Sequence, residues 1–176
     1  MFIKKRFFRI IESIIFKFLN LFSKIKNKRF KQSLNSAQYK NQFNRKYLLS
    51  NNGEIRYLIK TGDDIAKYLY INNSWNFHVL EKACKLLKKK KSITTLINIG
   101  AHIGSTCIPA VKSKLFNNVI AFEPFPLNFN LLTTNIYLNS LDKNIKAYNI
   151  ALSNKKKKLF IKQYGVNTGD CRILFK

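Results

Sequence analysis

The chain has 176 residues, 46% of them apolar and 14% aromatic, with six glycines and three prolines. That length allows one domain with a genuine core, and that composition excludes a disordered tail, a collagen-like chain and a loop-only scaffold. Against 33 Lys and Arg stand 8 Asp and Glu, a net charge of +25, which raises nucleic acid, an anionic membrane or another polyanion as a partner.

The charge is unevenly spread. Residues 1–60 carry 15 basic and 2 acidic side chains, whereas residues 93–152 carry 4 and 2. A duplex reader would place its Lys and Arg on the recognition element itself, and no helix-turn-helix, RRM or zinc pattern is present, so nucleic acid ranks last among the partners. Cys84, Cys107 and Cys171 are odd in number, widely spaced and without a CxxC. They predict neither a disulfide framework nor a metal site, and they suit a reducing, cytoplasmic setting.

The first thirty residues open on Lys4, Lys5 and Arg6 before an apolar run. Glu12 and Lys17 interrupt that run and no small-residue cleavage site follows, so neither a signal peptide nor a membrane span is expected. Phe7, Ile11, Ile14, Phe18, Leu21 and Ile25 recur in steps of three and four. Phe8, Ile15 and Phe22 widen the stripe, and Arg6, Arg9, Ser13, Lys17, Asn20 and Lys24 fall largely opposite. This predicts a basic amphipathic helix. It suits peripheral contact with the inner face of a membrane through residues 1–30, and equally a helix packed on its own domain or a partner with its lysines in water. Residues 26–46, rich in Lys, Asn, Gln and Ser, read as a polar connector, which closes a first segment at 1–46.

A second segment, 47–92, reads as a β-hairpin and helices leading into the main domain. Two strands flank Asn51-Asn52-Gly53, Thr61-Gly62-Asp63-Asp64 offers an N-cap, and Trp75–Leu87 places Phe77, Leu80, Ala83, Cys84 and Leu87 on one helical face. Lys88–Lys91 suits the negative end of that helix.

The segment 93–176 is the most informative. Thr95–Ile99 is an apolar run of the kind a buried parallel strand shows, and it enters Gly100-Ala101-His102-Ile103-Gly104 directly. A helix from Cys107 follows, then a strand Val119–Phe122 ending in Glu123. A second helix over about 126–138 and a strand Ile145–Ile150 complete a β-α-β-α-β order, with Ala151 and Leu152 just beyond. Glycines let a ligand approach the main chain, and a carboxylate about 20 residues on can accept ribose hydroxyls. The loop is G-x-x-x-G and lacks the third glycine of a pyrophosphate fingerprint, which favours a nucleoside ligand such as S-adenosyl-L-methionine over NAD or FAD. Lys155–Lys158 reads as a solvated turn, Leu159-Phe160-Ile161 follows, and residues 164–173 read as a loop more than a strand.

The stretches LINIGAHIGS, VIAFEPFPLNFNLLTTNIYLN, YNIALSN and NTGDCRI together resemble the FkbM family of S-adenosylmethionine-dependent methyltransferases, over about 61–173 and most specifically 95–173. The resemblance implies an α/β, Rossmann-like methyltransferase fold, here incomplete at the first half of the parallel sheet, with the N-terminal basic amphipathic helix ahead of it. It implies S-adenosyl-L-methionine as cofactor and a hydroxyl of a small molecule, sugar or glycan as methyl acceptor. By position it places Gly100, Ala101, His102 and Gly104 in the cofactor loop and Glu123 on the ribose. Ala151 and Leu152 fall beside the adenine, and Asn167, Gly169, Asp170 and Arg172 face the acceptor pocket. The family's strand ends in Asp where this chain has Asn98, which removes a charge-assisted bond to the cofactor, and His102 stands where Asn is usual. The family also continues with further strands after the position of Lys176. An inactive remnant and a membrane-associated, non-enzymatic module therefore stand as alternatives to a methyltransferase, and no residue is assigned as catalytic base.

Overall fold

A computed structural model of the protein describes residues 2–50, 53–87, 94–156, 158, 160–165 and 167–174, with side chains from residue 13 onward. The Asn51-Asn52 part of the expected turn, the Lys88–Lys91 run, Lys157, Leu159 and Val166 lie outside these residues, as do the side chains of Phe7, Phe8 and Ile11. The chain divides into two compact units, residues 1–40 and 41–176.

The first unit is a single helix, α1, spanning Phe2–Asn41. The polar connector expected from residue 26 is helical through Asn41. No glycine or proline occurs before Gly53, and Lys, Arg, Gln and Ala are good helix formers, so nothing in the sequence stops the helix where its apolar stripe stops. Among the described residues no helix is long and apolar enough to cross a membrane.

The second unit opens with an antiparallel pair, β1 (Tyr47–Ser50) and β2 (Tyr57–Lys60). The last pair in register is Ser50 with Tyr57, so the connection is a long loop in place of a two-residue turn. Gly53 is not left-handed, and a two-residue turn of the Asn-Gly kind needs both central residues there. Helix α2 (Asp64–Asn72) starts at Asp63, whose Oδ1 accepts from Ala66 N at 2.8 Å, and ends at Asn73 in the left-handed conformation. Helix α3 (Phe77–Leu87) places Cys84 against Ala110 and Phe116, with Phe77, Leu80, Leu96 and Leu115 around them. Leu87, expected on that face, is exposed.

Three parallel strands form the centre, in the order β3 (Thr95–Ile99), β4 (Asn118–Phe122), β5 (Ile145–Tyr148). Helices α4 (Cys107–Lys112) and α5 (Pro126–Leu138) make the crossovers. The chain is thus an α/β protein built on a short parallel sheet wound β-α-β-α-β. Pro126 opens α5, where a missing N–H costs nothing. Pro109 sits in the first turn of α4 for the same reason. Leu96, Val119, Ala121 and Ile145 face the side on which α3, α4 and α5 pack. Period-two alternation sends Ile97, Ile99, Ile120, Phe122 and Tyr148 to the other side. Ile97 and Ile99 are 60% and 66% exposed, so the run that reads as a buried strand is buried on one face only. On the open face the Phe122 and Tyr148 rings stack, with centroids 5.5 Å apart.

The stretch expected as a terminal loop contains a strand. β6 (Phe160–Gln163) and β7 (Cys171–Leu174) pair antiparallel, Phe160 opposite Leu174 and Gln163 opposite Cys171. Four residues are too few for alternation to announce a strand; the ladder with β6 provides the hydrogen bonds that make one.

The hairpin is joined to the sheet layer by two asparagines one turn apart on α5. Asn135 Oδ1 accepts from Leu58 N at 2.6 Å, and its Nδ2 donates to Leu58 O at 3.2 Å and to Ile103 O at 2.9 Å. Asn139 repeats the pattern on Arg56, accepting from its N at 3.0 Å and donating to its O at 2.7 Å. Residues two apart on a strand present their backbone groups on the same edge, so two amides spaced by a helical turn act as a surrogate neighbouring strand for β2. Asn135 is fully buried. Replacing it with Ala leaves both backbone groups of Leu58 and the carbonyl of Ile103 without these partners. We expect Asn135→Ala to lower unfolding free energy by about 2–4 kcal/mol, read as a lower urea midpoint at unchanged slope.

Candidate functional site

The carboxyl ends of β3, β4 and β5 are tied together in a staircase. Gly100 N and Ala101 N both donate to Phe122 O, at 2.9 and 3.0 Å. Glu123 N donates to Tyr148 O at 3.0 Å, and Asn149 Nδ2 donates to Glu123 O at 2.8 Å. Ligands of open α/β sheets sit beyond these ends, where loops diverge.

The loop after β3 is built on left-handed residues: Gly100 at φ 75°, His102 at φ 51° and Gly104 at φ 96°. A side chain at Gly100 would meet nothing within 4 Å, so its backbone borders open space. At Gly104 a Cβ would lie 2.6 Å from Ile108 Cδ1 and 3.2 Å from Leu132 Cδ1. One glycine therefore leaves room beside the main chain, and the other lets α4 and α5 close on it. Ala101, between them, is buried.

Glu123 connects this loop to the next one. Its Oε2 accepts from His102 N at 2.8 Å and its Oε1 from Phe125 N at 3.0 Å. Glu123 as a whole is 5% exposed, and its carboxylate lies against the backbone. It stands at the first turn of α5, where the Phe125 side chain makes no cap, so it takes over part of that work.

Asp63 and Thr168 complete the cluster, and neither was singled out as a site residue by the sequence. Thr168 Oγ1 donates to Asp63 Oδ2 at 2.6 Å, and Thr168 N donates to the same oxygen at 2.8 Å. His102 Nε2 lies 3.0 Å from Thr168 Oγ1 and 3.8 Å from Asp63 Oδ2, so the hydroxyl stands between imidazole and carboxylate. A hydroxyl has one proton, and here it goes to the carboxylate, which only accepts. The hydroxyl must then accept from His102, which assigns the imidazole proton to Nε2 and leaves Nδ1 as a lone-pair acceptor. Nδ1 is buried and has no hydrogen-bond partner; Asn98 Oδ1 and Asn128 Oδ1 share that condition. Asn128 Nδ2 holds Thr168 O at 3.0 Å. Burial lowers the His102 pKa below its usual value; Asp63 and Glu123 pull it upward and do not overcome the desolvation. Burial also pushes the Cys107 thiol up to about 12, which removes it as a nucleophile at neutral pH.

A groove of about 560 Å³ lies beside these loops, lined by Pro124, Asn149, Ile150, Ala151, Leu152 and Ile161 among others. Ala151 and Leu152 thus stand on its wall, whereas Gly100, Ala101, His102, Gly104 and Glu123 belong to the neighbouring loop cluster. The late N-x-G-D-x-R residues face different ways. Asn167 Oδ1 accepts from Gly169 N at 3.0 Å and closes the β6–β7 turn. Asp170 and Arg172 pair on the surface at 3.4 Å, and the guanidinium lies 5.5 Å from the Tyr164 ring centroid. It is Thr168, inside that motif, that reaches the loop cluster.

No family model matches the sequence, and no curated protein matches it. In structure the chain is similar to solved S-adenosylmethionine-dependent methyltransferases over about 60% of its length. Pyrococcus horikoshii TYW2 in complex with MeSAdo is 24% identical at a TM-score of 0.42, over 60% of this chain and 36% of that one. M. jannaschii TYW2 in complex with AdoMet is 21% identical at 0.39, over 58% and 42%. A SAM-dependent methyltransferase from Agrobacterium tumefaciens is 10% identical at 0.40, over 60% and 32%. The chain spans less than half the length of each of these structures.

Two outcomes follow from the loop geometry. Gly104→Ala meets a backbone angle that side chains rarely adopt; the Ile108 methyl can shift but φ 96° cannot without moving the loop. The expected cost is about 1–3 kcal/mol, read from thermal or urea unfolding. His102 has a lowered folded pKa, so the unfolded chain binds the proton more readily. Its contribution to stability is complete above the unfolded value of about 6.5 and is lost as pH falls through the folded value. The melting midpoint should therefore drop on acidification from pH near 7, and His102→Asn should flatten that drop.

Proposed function

We propose that the chain binds S-adenosyl-L-methionine at the carboxyl edge of β3–β4–β5 and belongs to a methyltransferase of the FkbM type, acting on a hydroxyl of a small molecule, sugar or glycan. One observation carries this reading. The left-handed Gly100–Gly104 loop leaves its backbone open at Gly100 and lies directly against Glu123 at the end of the neighbouring strand. That is the arrangement a nucleoside needs: main chain within reach, and a carboxylate for the ribose.

The residues divide the work. A carboxylate offers about four acceptor sites, and Glu123 spends two on backbone amides, which leaves two for ribose hydroxyls. Ala151 and Leu152 present an apolar wall for an adenine ring. Asn98 Oδ1 and His102 Nδ1 are buried acceptors without partners, suited to ammonium or hydroxyl donors. Asp63 and Glu123 flank His102 and give this corner a negative character that favours a cationic ligand. Bound here, S-adenosylmethionine would supply a methyl group carried on a sulfonium. Asn167, Asp170 and Arg172, on the β6–β7 hairpin, stand on the acceptor side in this reading.

Calorimetric titration of the full chain with S-adenosylmethionine and S-adenosylhomocysteine tests the proposal. Binding heat from both is expected. Leu152 is 46% exposed, so Leu152→Arg should leave the melting midpoint in place while weakening binding at least roughly tenfold by obstructing the groove wall. No heat from the unmodified chain refutes cofactor binding, and unchanged affinity in Leu152→Arg refutes this placement of the adenine.

A further inference from the structure

We propose that α1 is an interfacial anchor that lies along an anionic lipid surface. Between residues 13 and 25 its two sides differ in kind. At 100° per residue, Ile14, Ile15, Phe18, Leu19, Leu21, Phe22 and Ile25 occupy one half of the circumference. Each of them is between 45% and 67% exposed. Ser13, Lys17, Asn20, Ser23 and Lys24 take the other half, where Phe16 is the one large apolar intruder. The sequence carries both stripes toward the N-terminus, with Phe7, Ile10 and Ile11 in line with the first and Arg6 and Arg9 with the second. Beyond Ile25 the character changes. Lys26, Lys28, Arg29 and Lys31 fall within six residues and point around the whole helix.

Width and charge select the occupant. A coiled-coil partner, including a second copy, is met by a narrow seam of two positions in seven, whereas this apolar arc covers half the helix. A planar interface between water and hydrocarbon matches such an arc. Residues 13–41 hold seven Lys and Arg and no Asp or Glu, so the surface that complements them is anionic. Only Arg29 of the seven is arginine, the side chain best suited to bidentate phosphate recognition, and nucleic acid would leave the Phe and Ile arc in water. The helix is not apolar enough to cross a bilayer, so it lies on the surface.

The experiment is flotation of the full chain with phosphatidylcholine–phosphatidylglycerol vesicles and with phosphatidylcholine alone. Binding is expected to the anionic vesicles, falling as salt rises. Paired Phe18→Asp and Phe22→Asp should abolish it, whereas Phe16→Asp, off the arc, should leave it nearly intact. Changing Lys26, Lys28, Arg29 and Lys31 to Gln should weaken it at least roughly tenfold. Circular dichroism on each variant confirms that helix content is kept. No flotation with anionic vesicles overturns the proposal. So does equal loss in Phe16→Asp, a stable oligomer whose dissociation requires Phe18→Asp, or a duplex oligonucleotide bound more tightly than the vesicles through the same residues.

Discussion

A buried backbone amide must find an acceptor, and at the carboxyl edge of β3–β4–β5 the available acceptors are side chains. The strands stop, but beyond β3 the chain from Ala101 to Ser105 stays buried, as does Glu123 beyond β4. Glu123 meets this requirement for the loops after β3 and β4, taking His102 N on one oxygen and Phe125 N on the other. Asn149 holds the Glu123 carbonyl, Asn128 holds the Thr168 carbonyl, and Asn135 holds Ile103 and Leu58. An amide side chain carries both a donor and an acceptor, so it can replace a missing strand neighbour where an apolar or charged residue cannot. The many asparagines of this chain, which in composition look like polar filler, include several of the pieces that close its interior.

The alternating order of strands and helices from 95 to 148 was legible because each element announces itself locally. The apolar runs are short, the glycines fall where the chain must turn left-handed, and Pro126 opens a helix. What stayed hidden depends on contact between distant parts. Asp63 lies in a stretch that reads as a helix cap and is the residue that caps, but its second oxygen holds Thr168, 105 residues away. Thr168 sits in a motif whose more conspicuous members, Asp170 and Arg172, pair with each other at the surface. No period or spacing connects residues 63, 102 and 168; folding does. The boundary of α1 was misplaced for a related reason. Loss of the apolar stripe after Ile25 changes what the helix surface offers, not its propensity, and the helix runs on to Asn41. β3 illustrates the converse: an unbroken apolar run looks buried on both faces, yet burial is a property of neighbours, and helices cover one side only.

The charge distribution bears on both proposals. A chain of net +25 would repel a sulfonium ligand if its lysines crowded the site, but residues 93–152 hold few of them. At the carboxyl edge the charged groups that meet are Asp63 and Glu123, with His102 kept neutral by burial between them. Neutrality of that imidazole matters twice. It prevents an internal cation from cancelling the two carboxylates, and it leaves Nδ1 a free lone pair at the depth where a buried donor has no water to turn to. Much of the basic excess sits instead on α1, which carries eleven Lys and Arg and a single acid, Glu12. Segregation of sign along one chain would therefore reconcile its net charge with the cationic ligand proposed for the carboxyl edge. In the two proposals the polarities then serve different tasks, attraction of α1 to an anionic surface and acceptance of a sulfonium at the carboxyl edge.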